Sequence, residues 1–272
     1  MRSTWLTIRV LLRPWWVKLS LLVLVLLLPV AWYSLWLYVG YVNDQEGERV
    51  LTEGGTFVYP STLGHTTNIL PDWLGKRFPE LWEYGERRLQ LDIVPKAGMN
   101  TEVITKMKHL QKLVITNHTA LRDRPIPKLL VYGKTIRKLD LHGGPLDAKL
   151  GNAIGDHPRL ERLFVSLTKD LYQASFFEGV SRSKTIREIE IMRGFMGKVE
   201  IDLTPLVKLE SLERLWVTLP VLKKEHVDIF NRIPKLQLVS FILHRDTDTQ
   251  RKLLDQLRCK YSVKYLFKRM SP

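Results

Sequence analysis

A short apolar motif recurs through the last two-thirds of the chain. Written as apolar-x-x-apolar-x-apolar, it occurs eight times, with copies about 24 to 27 residues apart. The second apolar position falls at Leu89, Leu113, Leu139, Leu163, Ile189, Leu215, Val239 and Leu266. Alternation of this kind predicts a strand with one buried face. In the copy that contains Leu163 and Val165, these two side chains are expected to be buried. Arg162 and Phe164, which alternate with them, are expected on the opposite face.

The residues between the strands predict helical return segments in several copies, because capping residues precede apolar patterns there. The helices are expected to start at Asn100 or Thr101, at Asp147, at Lys223, and at Thr247 or Asp248. A helix that returns the chain brings the next strand in parallel to the last. Because one such unit cannot bury its own apolar face, neighbouring copies are expected to stack into a continuous core.

The repeated segments resemble the leucine-rich-repeat proteins, in their longer, helix-containing form. The segments that carry the resemblance are LQKLVITN, IRKLDLHGG, LERLFVSL, IREIEIMRG and LERLWVTL. The resemblance implies an α/β solenoid over residues 86–272, shaped as a horseshoe with a parallel sheet on its concave face. One departure is that the family's asparagine after the strand is clear only at Asn117.

A long apolar segment precedes the repeats. Residues 19–42 contain no Asp, Glu, Lys or Arg, and as a helix they would reach about 36 Å, enough to cross a hydrocarbon core of roughly 30 Å. Four cations precede this segment and acidic residues follow it. The positive-inside rule therefore predicts a cytoplasmic basic N-terminus over 1–18, a single transmembrane helix over 19–42, and an extracytoplasmic remainder.

Two alternatives to an uncleaved signal anchor remain open. A cleaved signal peptide has an apolar region of about 7 to 15 residues and small residues at its cleavage site, which fits the length and the ending of 19–42 poorly. A buried core helix would keep more polar positions than Ser20 and Ser34.

Two segments connect the anchor to the repeats. Residues 43–70 are polar and rich in turn-forming residues, and they predict a tether. Residues 71–85 place Trp73, Phe78 and Trp82 at roughly helical spacing. This pattern predicts an N-terminal cap helix over the first strand, with an interfacial helix on the bilayer as the alternative.

Catalytic chemistry is not indicated by the sequence. Cys259 is the only cysteine, and the seven histidines lack metal-ligand spacing. The run from His142 to Gly144 is similar to the oxyanion segment of esterases, but no Gly-x-Ser-x-Gly accompanies it. We therefore expect no enzyme, no cofactor and no metal, with an unrecognised hydrolase as the weakest alternative.

The predicted concave face offers a binding surface. Its first column of side chains is Arg88, Lys112, Lys138, Arg162, Glu188, Arg214, Leu238 and Tyr265, and its second is Gln90, Val114, Asp140, Phe164, Glu190, Trp216, Ser240 and Phe267. The candidate contact residues are Lys112, Lys138, Arg162, Phe164, Arg214 and Trp216. A basic row beside exposed aromatic rings suits a partner with anionic and apolar parts; the alternative is a solvated face whose cations are paired with carboxylates.

These patterns together predict a membrane-anchored recognition or scaffold module. Its net charge of +14 favours acidic partners, either a protein or an anionic envelope polymer. Nucleic acid is not expected for an exported domain. A structural envelope component that stacks against its own copies is the alternative function.

Overall fold

The chain forms two compact units. The first comprises Met1–Asn43 and Asn68–Glu86, and the second comprises Asp44–Thr67 and Arg87–Pro272. The computed structural model describes residues 15–53, 57–58, 66–68, 77, 86–88, 90–94, 101–116, 125–167, 172–193 and 201–267.

The N-terminal apolar segment forms one long helix, α1, over Trp15–Glu53. In the part that belongs to the first unit, Leu22, Val25, Leu26 and Leu28 are between 56% and 61% exposed. Within the described part of the chain, this is the one helix long and apolar enough to span a membrane. A helix whose apolar side chains are exposed on all sides is typical of a lipid environment.

The last part of α1, from Asp44, belongs to the second unit and packs on its first repeat. Leu51 is fully buried in the core, and the Nζ atom of Lys106 lies 2.9 Å from Oε1 of Glu46. The helix therefore runs past the predicted end at residue 42, and the start of the predicted 43–70 tether is helical. The predicted cap helix over 71–85 lies outside the described residues except for Arg77.

The second unit is built around a nine-stranded sheet. The strands among the described residues are β1 (Phe57–Val58), β2 (Thr66–Asn68), β3 (Glu86–Arg88), β4 (Gln90–Val94), β5 (Lys112–Thr116), β6 (Lys138–His142), β7 (Arg162–Leu167), β8 (Glu188–Arg193), β9 (Arg214–Leu219), β10 (Leu238–Arg245) and β11 (Lys260–Phe267). The eight strands from β4 to β11 are parallel and follow one another in chain order, and β1 pairs antiparallel with β4. β2 and β3 form a separate two-stranded sheet.

Helical segments return the chain between the parallel strands. They are the 3-10 helices η1 (Thr101–Lys106) and η2 (Thr204–Lys208), and the α-helices α2 (Pro125–Tyr132), α3 (Ala148–Gly155), α4 (Ser175–Val180), α5 (Lys224–Arg232) and α6 (Asp248–Leu254). The predicted caps of α3 and α6 are confirmed, because Asp147 and Thr247 accept hydrogen bonds from the first turn. The return at Thr101 is a 3-10 helix, while α2, α4 and η2 were not predicted.

The predicted inward positions of the strands are confirmed. Twelve of them are at most 2% exposed: Leu113, Ile115, Leu139, Leu141, Leu163, Val165, Ile189, Ile191, Leu215, Val217, Val239 and Phe241. With the apolar faces of the return segments they form one continuous core. At about 1.5 to 3 kcal/mol per buried side chain, this core is the main favourable term in folding of the unit.

The predicted register is wrong at the two ends of the sheet. Leu91, and not Leu89, pairs with Leu113; apolar residues occupy alternate positions there, so a shift by two keeps the same face inward and the pattern alone does not fix the register. At the other end Tyr261, and not Leu266, pairs with Val239. That odd shift turns Tyr265 towards the core, against which it packs.

Candidate functional site

The side chains that alternate with the buried positions form one face of the sheet, which we call the open face. Its first column is Gln90, Lys112, Lys138, Arg162, Glu188, Arg214, Leu238 and Lys260, and its second is Asp92, Val114, Asp140, Phe164, Glu190, Trp216, Ser240 and Ser262. The predicted columns therefore hold from β5 to β10. At the ends they are wrong: Gln90 and Asp92 replace Arg88 and Gln90, and Lys260 and Ser262 replace Tyr265 and Phe267.

Two of the predicted contact residues lie at the β5 and β6 end of the open face. The Nζ atom of Lys112 lies 2.7 Å from Oδ2 of Asp140 on the adjacent strand, and both side chains are partly buried. Lys138, between Lys112 and Arg162 in the register, is exposed. No carboxylate among the described residues lies within ion-pair distance of Lys138.

Arg162 and Arg214 belong to a four-residue charge cluster in the middle of the sheet. Arg162 Nη2 donates to Oε2 of Glu190 at 3.0 Å, and its Nε atom lies 4.0 Å from Oε2 of Glu188. Arg214 Nη2 lies 2.6 Å from Oε1 of Glu188. Glu188 therefore stands between the two arginines and bridges them, and it interrupts the predicted basic row.

Over most of the open face, carboxylates are as numerous as cations. From β4 to β9 the two columns contain four cations and four carboxylates: Lys112, Lys138, Arg162 and Arg214 against Asp92, Asp140, Glu188 and Glu190. Partly exposed pairs of this kind contribute little stability, about 0 to 1 kcal/mol each. Their main effect is to make the face a mixed-charge surface with fixed donor and acceptor positions, which suits specificity more than general attraction of anions.

The two aromatic candidates lie in the same column of the open face, with one strand between them. Phe164 and Trp216 flank Glu190 in the register, and two strand spacings put their backbones about 10 Å apart. The ring of Phe164 packs on the ring of His142, with centroids 4.6 Å apart. Both aromatic side chains are half-buried, so each presents part of a fixed ring to solvent.

Trp216 borders a shallow depression on the open face between β8 and β11. The depression has a volume of about 290 Å³. Its lining includes Met192, Thr218, Ile242 and Lys264, which belong to a third column outside the two predicted ones. The sequence pattern also predicts this column, because its residues continue the same alternation one step towards the carboxyl ends of the strands. An apolar floor with a polar border is the anatomy of a protein-binding patch.

The segment from His142 to Gly144, which is similar to an oxyanion segment in sequence, includes a turn in this fold. Gly143 and Gly144 have φ angles of 65° and 144°, and they form the turn after β6, where residues with a side chain are strained. His142 itself packs on Phe164 as described above. Over the described ranges, no group of three or more His, Cys, Asp or Glu side chains is placed to hold a metal ion. Asn117 lies outside those ranges.

No protein-family model matches the chain, and no curated protein is significantly similar to it.

Proposed function

We propose that this chain is a single-pass membrane protein of the leucine-rich-repeat type that recognises a protein ligand with the open face of its sheet. In this proposal the N-terminus lies in the cytoplasm, the repeats form a horseshoe-shaped solenoid outside it, and the concave side of the horseshoe is the open face. The protein has no catalytic role of its own.

The observation that carries the proposed ligand class is the pairing of charges on the open face. Lys112 is paired with Asp140, Arg162 and Arg214 share Glu188, and Arg162 also pairs with Glu190. An anionic polymer would compete with these built-in carboxylates, whereas a protein can match alternating charges one by one. A protein is therefore favoured over the acidic polymer that the sequence left equally open.

The apolar depression beside Trp216 supports the same ligand class. Tryptophan and arginine are the residues that most often dominate binding energy at protein interfaces, and they do so where neighbouring groups exclude water. Trp216 is half-buried beside Met192 and Ile242, and Arg162 and Arg214 flank Glu188 on the neighbouring strands. This patch is the proposed centre of the interface.

The repeat family and the membrane topology are supported by separate features. Parallel strands in chain order, each followed by a return segment, are the arrangement that a solenoid of strand and helix units requires. The excess of cations before the apolar helix favours a cytoplasmic N-terminus.

Site-specific photocrosslinking in the full chain tests the binding surface. A photoreactive amino acid at Ser240, beside Trp216 on the open face, is expected to give one discrete adduct with a second protein. The matched control position is Lys252, exposed on α6 away from this face, and it should give none. Adding Trp216→Ala to the Ser240 probe should abolish the adduct.

The mass of the adduct decides between the alternatives. An adduct of twice the mass of this chain would identify the self-assembling structural component instead. Adducts of equal yield from Ser240 and Lys252, or none from either position, would reject the open face as the recognition surface.

A further inference from the structure

A basic pocket lies at the edge of the sheet where the parallel strands begin. It has a volume of about 480 Å³, within the range of about 300 to 1,000 Å³ typical of small-molecule sites. Its lining contains four cations and one carboxylate, together with Pro158, Thr185 and Ser211. The charged residues are Arg137, Arg159, Lys184, Arg187 and Glu161.

The positive charge of the pocket is only partly compensated. Arg137 Nη1 lies 3.1 Å from Oε1 of Glu161, and Arg187 Nη1 lies 3.8 Å from Oε1 of Glu213. Arg159 and Lys184 are exposed, and neither has an ion-pair partner among the residues that the structure describes. The pocket therefore holds two cations that are available to a ligand and two that can re-pair with one.

The floor of the pocket is fixed by hydrogen bonds between consecutive repeats. Thr185 Oγ1 donates to the carbonyl oxygen of Leu160 at 2.8 Å, and Ser211 Oγ donates to the carbonyl oxygen of Lys184 at 2.8 Å. The amides of Arg187 and Glu188 both donate to the carbonyl oxygen of Glu161. These groups are held in place before any ligand binds. The floor of the pocket therefore loses little conformational entropy on binding.

The register spaces the two outer arginines across the pocket. Arg137, Glu161 and Arg187 each precede the first residue of adjacent strands, so the backbones of Arg137 and Arg187 are separated by about 10 Å, or two strand spacings. From these backbone positions the two guanidinium groups can each bind an oxygen-rich group in bidentate fashion, as arginine does with phosphate. Lys184 adds a point charge on the same side.

We propose that this pocket binds a phosphate-bearing small ligand with two or more negative charges. Arg159 and Lys184 are its primary contacts, and Arg137 and Arg187 close on it from the two sides. The lining is mostly polar, and its four cations are offset by Glu161 and by Glu213, which pairs with Arg187, so two positive charges remain in excess. An apolar ligand is excluded, because it would remove water from these charged groups without replacing their hydrogen bonds. The chemistry is shared by free phosphate compounds and by the headgroups of anionic phospholipids.

The site differs from the proposed recognition surface. Its charged residues come from the turns before the strands, and none of them belongs to the two columns of the open face. Failure of one proposal therefore leaves the other standing.

Calorimetric titration of the full chain in phosphatidylcholine nanodiscs tests the proposal with two probes. Inorganic pyrophosphate represents free phosphate compounds, and glycerol 3-phosphate represents a lipid headgroup. Saturable binding of either probe at low ionic strength is expected, and its affinity should fall as salt is added. Tighter binding of glycerol 3-phosphate would identify a headgroup as the source, and tighter binding of pyrophosphate a free ligand.

A double variant and a charge-matched control locate the binding. Arg159→Gln with Lys184→Gln should weaken the affinity at least about tenfold, because it removes two charged hydrogen-bond donors. Lys224→Gln with Lys252→Gln removes the same charge from exposed positions on α5 and α6 and should leave the affinity within about twofold. Circular dichroism should show the wild-type Tm for both.

Two results would overturn the proposal. One is the absence of saturable binding for both probes in the wild-type chain. The other is equal weakening in the two double variants, which would mean that net charge alone attracts the anion.

Discussion

The imidazole of His157 is hydrogen bonded to the carbonyl oxygen of Gly133 in the preceding repeat, with Nε2 3.1 Å from that oxygen. On the other side of the ring, Nδ1 accepts from the backbone amide of Arg159 at 3.3 Å. A neutral ring with its proton on Nε2 satisfies both bonds, whereas a second proton on Nδ1 would face the amide hydrogen. Burial lowers the pKa of His157, and the hydrogen bond to Gly133 offsets this only in part.

We expect the free energy of unfolding to fall as the pH is lowered through the range in which His157 titrates. In the unfolded chain a histidine has a pKa of about 6.5, and the folded pKa is lower. Below pH 6.5 the unfolded state therefore binds more protons than the folded state, so acid favours unfolding. The contribution of His157 to the free energy of unfolding is fully present above the unfolded pKa. It is lost as the pH falls from the unfolded pKa to the folded pKa.

Thermal unfolding of the wild type and of His157→Gln at several pH values measures this effect. Glutamine keeps a donor for Gly133 but does not titrate, so its Tm should fall less steeply between neutral and mildly acidic pH. All other ionisable groups are common to the two proteins, so the difference between their slopes reports His157. Equal slopes for the wild type and His157→Gln would contradict the assignment.

The second prediction concerns Gly151, the residue at which α3 and α4 are in contact. A Cβ atom at Gly151 would collide with the backbone carbonyl of Phe176. Gly151→Ala should therefore lower the free energy of unfolding by about 2 kcal/mol or more, although alanine is favoured over glycine in helices by about 1 kcal/mol. Urea denaturation measures the change.

Gly47 in α1 provides the matched control for that substitution. A Cβ atom at Gly47 would lie 3.1 Å from Cγ of Met107, and a methionine side chain can move aside. Gly47→Ala should change the free energy of unfolding by no more than about 1 kcal/mol in either direction. If Gly151→Ala were equally mild, the two helices would be farther apart than they are here.

The sequence predicts the interior of this fold well because burial leaves a periodic trace. Every copy from Leu113 to Val239 repeats the same alternation, and a one-residue error would place charged residues such as Arg162 in the core. The caps at Asp147 and Thr247 are also local signals, since each side chain bonds to its own first turn.

The remaining features depend on contacts that the sequence pattern does not encode. In β11, Tyr261 pairs with Val239 although the segment around Leu266 also carries apolar residues, so the pattern alone does not fix the register. Glu188 pairs with Arg162 and Arg214, which lie on the two strands next to its own. In the sequence, each of these arginines is a whole repeat away from Glu188. The basic pocket assembles residues from four consecutive turns, so no single copy of the motif reveals it.

The ion pair between Lys112 and Asp140 makes a third prediction. Because both side chains are partly buried and their charged atoms lie 2.7 Å apart, a double-mutant cycle with Lys112→Met and Asp140→Asn should give a coupling energy of about 0.5 to 1 kcal/mol. The coupling should decrease as salt is added, since part of the pair is open to solvent. Urea denaturation of the four proteins gives the value; a coupling near zero at low salt would mean that the pair is not formed in solution.

The last prediction concerns the proposed orientation of α1, with its N-terminus in the cytoplasm. Cys259 is the only cysteine of the chain, so a Cys259→Ser background carrying either Ser3→Cys or Lys252→Cys reports the two ends separately. Since the cations Arg2, Arg9, Arg13 and Lys18 all precede the apolar segment, they should be retained in the cytoplasm. A membrane-impermeant maleimide should then label Lys252→Cys in intact cells, and Ser3→Cys only after permeabilisation. Equal labelling of both variants in detergent controls for reactivity, and the reverse pattern in intact cells would place the repeats in the cytoplasm.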